Sequence, residues 1–165
     1  MSPENAKVIA DFISVNLENE YKTTRRVLAA LPDDQMSYQP NEKGFAAGAL
    51  AWHIATADVF FLSAIAKGEF TTPAKRDCPK TVGEIVEFFD HNVPPLLEQI
   101  KGISGEHASK VMTFAVFTLP VVVFMNLANS HSIHHRGQLS AYIRAVGAKV
   151  PSIYGPSGDE KYGGG

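Results

Sequence analysis

Three histidines, His53, His131 and His135, are the side chains of this sequence best suited to chemistry. His131 and His135 are four residues apart, so on a helix they share one face with Cβ atoms about 5–6 Å apart, and two imidazoles can reach one metal ion. His53, from an earlier helix, brings the set to three nitrogens and leaves a fourth position open, as catalytic zinc sites do. Zinc, nickel, cobalt and iron all accept such donors. Taken alone, a pair of histidines at this spacing reads equally as surface or hydrogen-bonded core residues, and His53 reads as a satisfied core histidine. The setting favours a metal. His131 and His135 lie in the apolar stripe Phe124, Leu127, Ala128, Leu139 and Tyr142, and burying neutral imidazoles without partners is costly.

The neighbouring polar residues have two readings each. Arg136 and Gln138 either orient a ligand or an anionic substrate, or bond to backbone and adjoining helices. Asp58, one turn and a residue beyond His53, is either an acceptor for an imidazole N–H or a solvated helix residue. His134 lies about 100° around the helix from His135 and reads as a supporting or surface residue. His91 and His107 fall in a proline-marked stretch and a polar loop and carry no assigned chemistry. No glutamate follows His131, which excludes the His-Glu-x-x-His arrangement of metalloproteases.

Four long helices must position these groups. Ser2 caps the first, with Pro3 at its first position and a stripe of Ile9, Phe12, Ile13, Leu17, Tyr21, Thr24, Leu28 and Leu31, ending before Pro32. A polar, turn-rich connection follows over 32–44. The second helix spans about 45–67 and carries His53, Phe60 and Phe61 on its stripe, with Gly68 closing it. A capping box, Thr81 with Glu84, starts the third helix. Its prolines at 94 and 95 predict a kink or break near Asn92. Residues 102–118 read as a connecting segment packed over the bundle, with β character at 111–117 but no evident partner strand. The fourth helix opens at Leu119-Pro120 and runs to about Val146, with Gly147 as its C-cap. The expectation is an all-α, single-domain four-helix bundle over 1–165 with one long crossing connection.

Composition narrows the function classes. A chain of 165 residues with a formal charge of −2 and 45% hydrophobic residues fits one globular domain with an ample core. No basic stripe suits nucleic acid, and no charge run suits a membrane surface. The most apolar run, 111–125, is shorter than a spanning helix needs, and the N-terminus lacks the regions of a signal peptide. Cys78 is the only cysteine, so no intrachain disulfide forms, and a cytoplasmic location is expected.

Taken together, Leu50-Ala51-Trp52-His53-Ile54-Ala55, the run from His131 to Leu139, the tail from Val150 to Glu160 and the connection from Leu31 to Pro40 resemble the DinB/YfiT-like family of metal-dependent enzymes. The resemblance spans nearly the whole chain. It implies an up-up-down-down bundle, a divalent metal such as zinc or nickel on His53, His131 and His135, and a homodimer. It also implies chemistry with a low-molecular-weight thiol. The resulting expectation is an enzyme in which a metal makes a thiolate at neutral pH, which attacks a small electrophile in a pocket lined by Phe60, Phe61 and Tyr142. Metal-dependent hydrolysis is the alternative within enzymes. A non-catalytic metal or small-ligand binding protein and a purely structural bundle are the alternatives outside them.

Overall fold

The computed structural model describes residues 1–161, so the Gly163-Gly164-Gly165 end lies outside the described residues. The elements are α1 (Pro3–Ala29), a 3₁₀ turn (Asp33–Gln35), α2 (Ala47–Lys67), α3 (Val82–Lys101), a short α4 (Gly105–Ser109), a hairpin of β1 (Val111–Phe114) and β2 (Phe117–Pro120), and α5 (Val121–Ala145). The four long helices form the expected bundle. α1 packs against α3 and α5, and α2 packs against the same two.

Local signals explain most helix ends. Ser2 Oγ accepts from the Asn5 N–H at 3.3 Å, and the Thr81–Glu84 capping box is made in both directions. The third helix also borrows a cap, because Asp33 Oδ1 accepts from the Val82 N–H at 2.6 Å. Gly68 takes φ 73 at the end of α2, a left-handed conformation that glycine adopts without a Cβ clash. α5 ends at Ala145 with Val146 rather than Gly147 as its C-cap, and Gly147, the next residue, takes φ 79.

The helix directions follow from which ends meet. A Cβ at Gly105 would run into the Pro3 carbonyl, and the His107 ring bonds the Ile65 carbonyl at 2.7 Å. The Val121 N–H donates to Lys110 O at 2.8 Å. The start of α1, the ends of α2 and α3 and the start of α5 therefore share one end of the bundle. The order is up-down-down-up, which corrects the up-up-down-down order implied by the resemblance. Residues 30–46 turn the chain back at the end where α1 stops, so α2 must run against α1. Parallel α2 and α3 then need a full-length return. Residues 68–81 supply it, since extended chain at about 3.3 Å per residue easily covers a helix of about 30 Å. The long crossing is this segment rather than 102–118.

Three other expectations change. The β-like run at 111–117 finds its partner within the next residues: β1 and β2 are antiparallel, pairing Val111 with Pro120 and Phe114 with Phe117. The helix is unbroken through Pro94 and Pro95. The carbonyls that lose their donors belong to Asp90 and His91, which are half-buried and exposed, so water can satisfy them. Asn92 Nδ2 adds a bond to Phe88 O at 2.7 Å. Finally, α1 buries Ala6, Ala10, Ile13 and Leu17, while Phe12 is 69% exposed. Alanine, not phenylalanine, fits where the first turns of α1 lie close to α4.

α2 is apolar enough that its mean hydropathy reaches 1.6 over 18 residues, a length and composition sufficient for a membrane span. Half of that stretch is buried inside the bundle, and the helix carries both His53 and Asp58.

Candidate metal centre

The bundle brings the three histidines together. His53 comes from α2, and His131 and His135 come from successive turns of α5, which runs against it. Their rings lie 4.5–5.1 Å apart, centre to centre, and one ligand atom from each falls within 4.8 Å of the others. His53 Nε2 and His131 Nε2 are 3.3 Å apart. Two nitrogens each about 2.1 Å from a tetrahedral ion would be about 3.4 Å apart, so this separation suits a shared metal.

Electrostatics favour the same use. Burial, with the nearby His135, His53 and His134, pulls the His131 pKa down to about 4. Burial and His135 lower His53 as well. Both rings are therefore neutral at pH 7, the form that offers a lone pair to a metal. His131 Nδ1 is buried without a hydrogen-bond partner among the described residues, so the polar function of that ring falls on Nε2. The donor set fits a divalent transition metal.

The third ring is oriented by its own helix. Gln138 Nε2 donates to the Tyr142 hydroxyl at 3.1 Å, which turns Gln138 Oε1 toward His135 Nδ1, also at 3.1 Å. An amide oxygen can only accept, so Nδ1 carries the proton and Nε2 keeps its lone pair for the cluster. Tyr142 is braced edge-on by Tyr38, with centroids 5.7 Å apart. Gln138→Leu should weaken metal binding about 10–100-fold, and Gln138→Glu should retain it. Titration against a competing chelator reads both, and equal affinity in the leucine variant would remove the orienting role.

The other expected site residues separate clearly. Phe60 and Phe61 line a cavity of about 620 Å³ with Trp52, Thr56, Phe114 and the histidines His53 and His131. Tyr142 does not line it and acts through Gln138. Arg136 is turned away from the site. It is 1% exposed and binds the Glu20 carboxylate, the Thr24 hydroxyl and the Tyr154 hydroxyl. One residue past His135 means about 100° of rotation, which aims it between α5 and α1.

Asp58 is neither a partner of an imidazole nor solvated. It is buried and accepts from Ser132 Oγ at 3.0 Å, because five residues past His53 is about 140° around α2. His134 is exposed and packs on His135 with centroids 4.8 Å apart. His91 is exposed. Phe114 and Arg76, which also border the cavity, carry no helical periodicity, and only the fold places them there.

Burial lifts the Asp58 pKa to about 7, against the lowering effects of Ser132 and the Arg136 charge. Below the ordinary carboxylate range both folded and unfolded chains hold this proton. As pH rises to about 7, the unfolded chain has released it and the folded chain still holds it, so this group's contribution to stability declines across that window and is flat above it. Asp58→Asn should flatten the decline and make the protein roughly 3 kcal/mol more stable at pH 8 relative to pH 4 than the wild type is. Melting temperatures across pH 4–8 check this, and parallel profiles for the two proteins would refute it.

Comparison with known proteins gives a consistent picture. The model of the DinB family matches residues 5–161. The uncharacterized protein YrdA of Bacillus subtilis (strain 168) is 25% identical over 145 residues, 87% of this chain and 86% of YrdA. The crystal structure of a DinB-like protein from Bacillus cereus ATCC 10987 superposes with a TM-score of 0.75 at 22% identity, covering 86% of this chain and 95% of that one. The DinB-like protein YjoA of Bacillus subtilis superposes with a TM-score of 0.72 at 19% identity, covering 86% and 96%.

Proposed function

The chain belongs to the DinB family, and from that premise we propose that it is a metal-dependent enzyme that joins a small thiol, through its sulfur, to an electrophilic small molecule. The observation that carries the reading is the convergence of three imidazole nitrogens within 4.8 Å at the wall of an aromatic cavity. A divalent metal such as zinc or nickel, held by His53, His131 and His135, would supply the positive charge that keeps a thiol deprotonated at neutral pH.

The chain's own residues do the rest. Trp52, Phe60, Phe61 and Phe114 hold the apolar body of the electrophile and exclude water. Gln138 keeps the His135 ring in one tautomer and orientation. In the transfer, a thiolate lone pair forms the new carbon–sulfur bond, the carbon–leaving-group bond breaks with its electron pair going to the leaving group, and the proton lost by the thiol passes to solvent.

Hydrolysis is the second reading, and one feature weighs against it. The lining of the cavity contains no carboxylate, so ionising water there would fall to the metal alone, whereas a thiol, with an ordinary pKa of about 8.5, gives up its proton far more readily than water.

Elemental analysis of tag-free protein against His53→Ala/His135→Ala tests the metal, with about one equivalent expected in the wild type only. Turnover of an aryl halide with and without added cysteine or glutathione tests the reaction. Consumption that requires thiol supports transfer, and consumption of an ester without thiol supports hydrolysis. Bound metal with neither activity would leave a binding protein.

A further inference from the structure

We infer that the cavity beside the histidines selects a small organic anion, with an apolar body against the aromatic wall and a carboxylate held by Arg76. The inference builds on the proposed reading of this cavity as the substrate site. It rests on the distribution of charge around it.

Arg76 lies on the crossing segment 68–81 and borders the cavity on its solvent side, opposite in exposure to the half-buried His53 and His131. Its guanidinium carbon sits 5.4 Å over the Phe88 ring, and Phe88 in turn packs edge-on against Trp52 of the cavity wall, with centroids 4.7 Å apart. Stacking of this kind holds the planar fork of an arginine in place while leaving its N–H groups free for a carboxylate. No carboxylate lies within 4.0 Å of Arg76 among the described residues. Glu84 and Glu87 border its other side, but Glu84 is occupied with the Thr81 cap.

A second cavity of about 330 Å³ adjoins the first across Pro73 and Ala74. It shares Thr56, Phe60 and Arg76 and adds Lys67. The linings of the two cavities thus contain two cations and no anion. A neutral substrate would gain nothing from this arrangement. An apolar anion gains a charge-assisted, two-pronged bond to the guanidinium at the edge of the aromatic wall.

The test compares 4-phenylbutyrate with 4-phenylbutanamide, which differ only in charge at the end of the same apolar body. Calorimetry on the full-length protein, as purified and after chelator treatment, measures both. The acid should bind about five- to tenfold more tightly than the amide in metal-free protein. Arg76→Gln should bring the two within about twofold, and Arg76→Lys should keep part of the preference. Equal binding of acid and amide, an unchanged preference in Arg76→Gln, or no binding of either probe at millimolar concentration would overturn the inference. Chelated protein separates the two readings. A preference that survives there without any metal in the purified protein would sink the metal reading alone. A metal-loaded protein without the preference would sink only the anion site.

Discussion

His131→Ala should abolish stoichiometric binding of a divalent transition metal, with affinity lowered well beyond the 10–100-fold typical of a lost supporting contact. Three features concentrate the loss there. His131 Nε2 is the atom that faces His53 Nε2 at 3.3 Å. Its low pKa keeps it unprotonated well below neutrality. Its other nitrogen has no hydrogen-bond partner among the described residues, so the ring makes no other polar contact there. The alanine variant should therefore keep its stability without metal and show no rise in melting temperature with zinc or nickel, whereas the wild type should show one. A ligand at a hundred times its dissociation constant stabilises by about 2.7 kcal/mol. His91→Ala is the control, since His91 is exposed on α3. His107 is a poor control because its ring bonds the Ile65 carbonyl near the end of α2. Equal metal content in the His131 and His91 variants would remove the ligand assignment.

Arg136→Met should destabilise the fold by about 3–5 kcal/mol, the usual cost of removing one partner of a buried ion pair. Arg136 is among the largest fully buried side chains. Its guanidinium bonds the Glu20 carboxylate and lies 2.6 Å from the Tyr154 hydroxyl, and that hydroxyl donates to the other Glu20 oxygen at 2.9 Å. One cation thus ties α5, α1 and the C-terminal segment together. Its loss strands the Glu20 charge and removes the cation that favours ionised Asp58. Glu20→Leu/Arg136→Met should recover most of the loss, because the cost lies in the uncompensated charge rather than in the missing pair. Urea denaturation midpoints at constant slope measure both variants. A single-variant loss below about 1 kcal/mol would mean that water reaches Glu20 and the pair is not structural.

Much of the fold was legible in the residues. The existence of the four long helices, the Ser2 and Thr81 caps and the Gly68 end depend on neighbours within a turn, and local chemistry decides them. The hairpin was harder to see because its turn, Ala115-Val116, lacks the Asn-Gly or Asp-Gly pair that usually marks a two-residue connection. Pro94 and Pro95 predicted a break because sequence shows which donors are lost but not which carbonyls face solvent. On α1, Val8, Phe12 and Val15 make an outward stripe as apolar as the buried one. Hydrophobic period alone cannot choose between two such faces.

The candidate site divides along the same line. The spacing of His131 and His135 and the stripe beneath them mark a candidate metal centre, since i and i+4 on one helix are neighbours in any fold. That His53 completes the set required α2 to run against α5 at one register, which the bundle supplies. The fates of Asp58 and Arg136 belong wholly to the tertiary structure. Both sit on the same helices as the histidines but are rotated away from them, Asp58 onto Ser132 of α5 and Arg136 onto Glu20 of α1, a partner more than a hundred residues distant in sequence. A charged residue on a helix shows its rotation in the sequence. Whether that rotation meets water, a ligand or a buried partner depends on what packs there, and only the folded chain decides it.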